Sequence, residues 1–273
     1  MTALGVPVPH MARPRVAVVE ALRRYLPAIG VFVVVVVAWE LLAPRTGRRV
    51  IPPPSAIADV LLNERRLLYP AAWATLYEAV GGLIIGTVVG VAVAFLAARW
   101  VTARDVLLPI AIGASAVPLI ALAPILNNWF GVLDPFSKMM MAALLVFFPI
   151  TINVIRGLVE VQPSALELMR SYAVSDTELI RKVRVPNMLP FLFTALKVST
   201  TLAFIGVIVA EFYGGSTVVL GRLVLTSISG GRFDIAWAVI VLGASAAIVC
   251  YLAVSLAERL VIPWYVSLRE SAS

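Results

Sequence analysis

The sequence holds one cysteine and one histidine in 273 residues. The lone thiol, Cys250, cannot close an internal disulfide, and inside an apolar run it reads as packing. The lone imidazole, His10, sits in a Pro-rich N-terminal tail. A histidine-based metal cluster is therefore excluded, and so is a His-assisted nucleophile within the apolar runs. Charge is scarce as well, at 14% of residues, where a soluble globule carries about a quarter. No G-x-x-x-x-G-K-[ST] stretch is present, so no backbone cradle for ATP phosphates is encoded. The N-terminus shows no small-residue cleavage site after a short apolar region, so its first apolar run is expected to be retained rather than removed as a signal peptide.

What the sequence has in excess is apolar surface. Hydrophobic residues make up 61% of the chain and the mean hydropathy is +0.99. Six apolar runs are long enough for a hydrocarbon core of about 30 Å. They fall near 26–43, 72–98, 106–128, 138–160, 188–212 and 236–262. The expectation is an all-α membrane protein with six transmembrane helices over 26–262. Residues 1–25 and 263–273 are read as cytoplasmic tails, and 161–187 as a cytoplasmic loop. Lys and Arg are commoner on that side, against the five arginines of the 44–70 loop, so the bias places both termini in the cytoplasm. In this setting the net charge of +7 reads as membrane anchoring rather than nucleic-acid binding.

Three runs carry finer signals. In IPPPSAIADVLLNERRLLYP, Ser55 is expected to cap a short amphipathic helix that lies on the outer interface. In the second span Gly82, Gly86, Gly90, Ala94 and Ala98 recur every four residues and share one helix face. Such a stripe lets a neighbouring helix approach closely, either in another subunit or within this chain. The third span holds Pro109, Pro118 and Pro124, then Asn127, Asn128 and Trp129. That pattern fits a helix lining a polar path or a kinked packing helix ending at the interface.

The charged insert SALELMRSYAVSDTELIRKVRVP, residues 164–186, interrupts this apolar background. It repeats the capping box Ser-x-x-Glu, first as Ser164 and Glu167 and again as Ser175 and Glu178. The boxes predict two short helices, about 165–173 and 176–184, with Pro186 ending the second and Pro190 restarting the chain. Leu166 and Met169 on the first, with Leu179, Ile180 and Val183 on the second, give an apolar stripe. Glu178, Arg181, Lys182 and Arg184 line its other side. Helices this short are unstable alone and need a partner surface. The make-up is that of a docking site, with a loop resting on lipid headgroups as the alternative.

The same residues resemble the cytoplasmic loop of permease subunits of bacterial ABC importers, written EAA, three residues, G, nine residues, I-x-L-P. Glu167-Leu168-Met169 stands at EAA, Ala173 at the glycine and Val183-Arg184-Val185-Pro186 at the end. The spacing matches throughout, while Ala replaces Gly and bulkier residues replace two alanines. IPPPSAIADVL, VPLIALAPILNNWFG and VRVPNMLPFLFTALKVS are similar to the nitrate, sulfonate and taurine branch, which includes pyrimidine-precursor and riboflavin permeases. The resemblance covers most of 50–262. It implies a type I importer in the bacterial inner membrane. Its parts would be two permease subunits (a homodimer or a pair with a paralogue), two ATPase subunits binding ATP and magnesium, and an extracytoplasmic solute-binding protein. This chain would bind no cofactor and would not hydrolyse ATP alone.

On that reading Glu167, Arg170, Tyr172, Ala173, Ser175, Glu178, Arg181, Lys182 and Pro186 contact or shape the contact with the ATPase. Path candidates are Pro118, Pro124, Asn127, Asn153, Lys197 and Glu211, since polar groups within spans are costly and often functional. Lys197 can instead snorkel to the cytoplasm and Glu211 can face water at an interface. Glu78, like Asn153, can serve as a packing or rim group. SISGGRFDIAW, with Arg232 and Asp234, could meet a protein outside. The competing class is an ion-coupled secondary carrier, which usually shows repeated halves and its own ion site; neither is evident. An intramembrane enzyme would have to use Lys197 and Ser199, which at two residues apart face different ways on a helix.

Overall fold

The computed structural model describes residues 14–43, 50–100, 106, 109–113, 115 and 118–264, with backbone alone for 14–25 and 119. His10 and Arg45, Arg48, Arg49, Arg104 and Arg269 lie outside the described residues. By contact the chain divides into two units, residues 1–59 and 60–273. Every described regular element is helical.

In the first unit α1 runs Pro14–Leu42 and α2 begins at Pro54, continuing to Asn63. The apolar part of α1, Leu26–Leu42, has Val31, Phe32, Val33, Val34 and Val35 all exposed, as suits a helix surrounded by acyl chains. Ser55 does not cap α2 as expected, because the helix starts one residue earlier. Its N–H and hydroxyl instead donate to the two carboxylate oxygens of Glu40, at 3.0 and 2.6 Å. A side chain of α1 thus holds the first turn of α2.

The second unit is built on α3 (Arg65–Arg99), α5 (Pro135–Val159), α8 (Val185–Tyr213) and α10 (Phe233–Val261). Among the described residues these are the four segments long and apolar enough to cross a bilayer, the third of them starting back at Asp176. Short helices α4 (Ala123–Phe130) and α9 (Leu220–Ser229) pack among them. The expected third span does not run as one helix. Pro118 opens a 3₁₀ turn over Leu119–Leu122, and Pro124 then sits in the first turn of α4. A proline ring clashes with the carbonyl four residues back, but it is harmless in a first turn, where its missing N–H would be unbonded anyway.

Helix α5 is the centre. Val146, Ile150, Val154 and Ile155 are fully buried, and Phe204 and Val207 of α8 join the same core. The glycine stripe of α3 faces α5. A methyl built on Gly82 would stand 2.4 Å from the Ala142 Cβ and 2.6 Å from the Met139 carbonyl; on Gly86 it would stand 2.6 Å from the Ala143 carbonyl. At Gly90 the nearest atom is Ile150 Cγ2 at 3.0 Å. Close approach in turn lets the Thr151 hydroxyl reach the Gly90 carbonyl at 3.3 Å. The stripe is therefore covered by a helix of the same chain.

Candidate functional site

The charged insert folds into α6 (Pro163–Ser171), a turn, and α7 (Asp176–Leu179). The first capping box does not form. Gln162 occupies the N-cap and Pro163 the first helical position, which places Ser164 inside the first turn. The second box does form: Ser175 Oγ accepts from the Glu178 N–H at 3.4 Å, and Glu178 Oε2 accepts from the Ser175 N–H at 3.4 Å. Glu178 also pairs with Lys182 one turn on, at 2.8 Å.

Between the two helices the backbone turns over at Ala173, the only described non-glycine residue with positive φ, at 49°. The Ala173 N–H donates to the Arg170 carbonyl at 2.9 Å and the Val174 N–H to the Met169 carbonyl at 3.4 Å. These two bonds make a Schellman motif, whose left-handed position glycine fills most cheaply. The alanine thus sits at the position where the resembling loops carry glycine, for a conformational reason that spacing alone could not show.

The insert does not end at Pro186. After α7 comes one π-helical segment, Ile180–Arg184, which leads straight into α8. Its signature bond runs from the Val185 N–H back five residues to the Ile180 carbonyl. The wider turn lets the helix start afresh, so Pro186 falls in the first turn of α8 and its missing N–H breaks nothing. From the Ser175 cap to Tyr213 the chain is one continuous helical rod, and Pro190 lies inside α8 rather than restarting the chain. Asn187 fastens the base of that rod: its Nδ2 donates to the Gly157 carbonyl at 2.7 Å and the Glu160 carbonyl at 3.2 Å. These are orphan acceptors at the end of α5.

No residue of α6 or α7 is buried. Glu167, Leu168, Arg170, Tyr172, Ala173, Ser175, Ile180, Arg181 and Lys182 are exposed, and Pro186 and Glu178 are half-buried. The apolar side chains that face outward are chiefly Leu168 and Tyr172, 56% and 72% exposed. Leu166, Met169, Leu179 and Val183, expected in the exposed stripe, are half-buried. A cleft of about 650 Å³ opens between the end of α3 and the insert, lined among others by Phe95, Arg99, Asp176, Ile180 and Arg184.

The path candidates scatter. Pro118 and Pro124 shape the turn before α4. Asn127 is buried, donating to the Ala210 carbonyl at 3.1 Å and accepting from the Ser137 hydroxyl at 2.9 Å. Asn153 bonds its own helix at the Pro149 carbonyl, 2.8 Å away. Glu211 has no exposed surface and accepts from the Thr75 hydroxyl at 2.7 Å and the Gly221 N–H at 2.6 Å. Both Asn127 and Glu211 are closed inside the helix packing. Lys197 does line open space. It forms a groove of about 560 Å³ with Thr194, Val198, Thr201, Leu202 and Tyr251. Its ammonium pairs with Glu258 of α10 rather than snorkelling free. Between α9 and α10, Arg232 lies 3.4 Å from Glu64 and 3.8 Å from Asp234, all three exposed.

Sequence reasoning missed Lys138, Glu258 and Asn187. Lys138 stands at the start of the expected 138–160 span, and it is 1% exposed, its ammonium donating to the carbonyls of Val132 and Asp134. The available signal was Asp134-Pro135, a helix start that moves Lys138 into the first turn of α5; the Asp134 side chain accepts from the Phe136 N–H at 2.8 Å.

Residues 82–266 match the family model of the binding-protein-dependent transport system inner membrane component. The chain belongs to this family. It is 29% identical to a probable ABC transporter permease protein of Haemophilus influenzae, over 85% of this chain and 94% of that one. It is also 29% identical to the formylaminopyrimidine transport permease protein ThiX of Halalkalibacterium halodurans (85% and 93% covered). With the riboflavin transport system permease protein RibX of Chloroflexus aurantiacus the identity is 30% (91% and 95% covered). In fold it is similar to a chain of the inward-facing MetNI methionine ABC transporter, with a TM-score of 0.60 at 20% identity, covering 72% of this chain and 97% of that one. The protein is a membrane-spanning permease subunit of an ABC importer, in the branch that includes sulfonate and taurine permeases.

Proposed function

We propose that this permease couples to a separate ATPase through residues 163–186 and passes a neutral heteroaromatic solute across the cytoplasmic membrane. The observation that carries the coupling half is the uninterrupted rod from the Ser175 cap to Tyr213. A side load on α7 passes into α8 through continuous helix, and one on α6 reaches it across the Ala173 turn, which its two backbone bonds hold. Leu168 and Tyr172 supply the apolar anchor, and Glu167, Arg170, Arg181 and Lys182 a charged rim, the usual layout of a protein interface. Ala173 and Ser175 hold the two helices at a fixed angle. ATP and magnesium belong to the partner subunit on this reading, and the insert lies on the cytoplasmic side with both termini.

The solute half rests on the groove beside Lys197. Its one cation is already paired with Glu258, so the lining offers no free positive charge to a nitrate or sulfonate. What remains is Thr194, Thr201 and the ring of Tyr251, which suits a neutral ring with polar edges. The names of the riboflavin and formylaminopyrimidine permeases point the same way. A second permease subunit, alike or paralogous, would close the groove, and an extracytoplasmic binding protein would deliver the solute.

The test is co-purification in detergent with a co-expressed candidate ATPase subunit. Wild type is expected to retain the ATPase, while Glu167→Arg and Ala173→Arg lose it and stay folded. Variants that bind as well as wild type would show that the insert is not the dock. Solute movement down an ion gradient without any ATPase would favour a secondary carrier.

A further inference from the structure

Five helices meet at one buried polar knot. It takes Thr75 and Glu78 from α3, Asn127 from α4, Ser137 and Lys138 from α5, Glu211 from α8 and the backbone of Leu220 and Gly221 at the start of α9. Donors and acceptors in it can be counted. Glu211 has a donor on each oxygen, from Thr75 and Gly221, so it is satisfied as a carboxylate. Lys138 supplies the matching positive charge, and Glu78 and Glu211 both lie within its electrostatic reach.

Glu78 is the group left over. It is 5% exposed, and no protein donor reaches its Oε2. It lies one helical turn from Thr75, whose hydroxyl donates to Glu211, and Glu211 is the charge that acts on it first. Two carboxylates cannot bond each other, since each only accepts; a carboxylic acid and a carboxylate can. A second buried negative charge with no cation of its own is also far more costly than a neutral acid. Asp134 adds its charge near Lys138 from the start of α5. Arg222 of α9 is the other cation nearby: its Cγ lies 3.9 Å from where a methyl on Gly215 would stand, and its Nε is buried with no hydrogen-bond partner. The charges acting on Glu78 are those of Glu211 and Lys138.

We propose that the knot is a proton site: Glu78 is held as the neutral acid and donates its hydroxyl to the Glu211 carboxylate, with Lys138 balancing that one charge. Thr75, which accepts from the Leu220 N–H at 3.0 Å while donating to Glu211, passes the same bond on to α9. The bound proton thereby joins the ends of α3, α8 and α9 without a free charge. The proposal is independent of which solute is carried.

The test is infrared spectroscopy on the full chain, assembled with its partner subunits in nanodiscs at neutral pH. Wild type should show the carbonyl band of a buried, protonated carboxylic acid that shifts in deuterium oxide. Glu78→Gln should lose that band and still unfold at the wild-type temperature, because an amide copies the acid's shape and can donate to Glu211. Glu211→Gln should lower the unfolding temperature, since its amide nitrogen would meet the Thr75 or Gly221 donor. Arg222→Met should leave the band unchanged. Absence of the band in wild type overturns the proposal. So does a band that emerges only in Arg222→Met, which would make Arg222 the second counter-charge. A sodium-dependent rise in unfolding temperature in place of the band would make the knot a cation site and overturn it equally.

Discussion

Gly82 gives the sharpest prediction because the same substitution should be costly there and harmless at a second glycine. A methyl at Gly82 would sit 2.4 Å from Ala142 Cβ and 2.6 Å from the Met139 carbonyl, whereas one at Gly30 in α1 meets nothing within 4 Å. The obstructing atoms at Gly82 are a backbone oxygen and a Cβ, which cannot swing aside as a side-chain tip would. Relief requires α3 and α5 to separate, which exposes the contacts along the whole stripe. Overpacking of this kind costs about 1–3 kcal/mol, and the rigid obstruction argues for the upper half. The helix-propensity gain from Gly to Ala, about 1 kcal/mol in water, should largely cancel. Spanning helices keep their backbone bonds in the unfolded state within a micelle, so both states gain it. Gly82→Ala should therefore lose about 2–3 kcal/mol and Gly30→Ala should stay within about 0.5 kcal/mol of wild type. The measurement is unfolding of the purified protein by titration with SDS, followed by circular dichroism. Equal stability of the two variants would refute the close α3–α5 approach.

Other positions yield narrower expectations. Ala173→Gly should stabilise the insert by about 1 kcal/mol by removing a left-handed alanine, seen as slower amide hydrogen exchange over 169–175 with ATPase capture intact. Asn187→Leu should expose the end of α5 by stripping two carbonyls of their donor, costing about 1–3 kcal/mol in the same SDS titration. Lys197→Met should destabilise by about 3–5 kcal/mol, because it leaves Glu258 buried and unpaired. The double variant Lys197→Met with Glu258→Gln should recover most of that loss.

The long helices were legible because their signals are local. Apolar runs of spanning length predict spanning helices whatever they pack against, and four-residue spacing predicts a smooth face. Which helix covers that face is a tertiary fact, settled here by α5. The third span misled because three prolines within one apolar run are compatible with either a kinked helix or a broken one. The insert was half legible. Ser175 and Glu178 form their box as spaced, but Pro163 takes the first helical position and displaces Ser164. Pro186 read as a stop, since proline normally is one; a single π turn cancels that rule and joins the insert to α8. The knot was the least legible part. Glu78, Lys138 and Glu211 lie more than 50 residues apart in the sequence, and only packing shows that their charges share one pocket. Lys138 in particular is drawn inside by the helix start at Asp134-Pro135.

The continuity of the rod across Ile180–Arg184 is the claim on which the coupling account stands. A Gly-Gly-Ser insertion between Arg184 and Val185 would put a swivel at that point while leaving Leu168, Tyr172 and the Ala173 turn intact. The measurement is ATP hydrolysis and solute uptake by the reconstituted transporter, with and without loaded binding protein. The account predicts that the ATPase still co-purifies, that its hydrolysis no longer responds to the binding protein, and that uptake stops. Uptake and stimulation at wild-type levels with the swivel in place would contradict it.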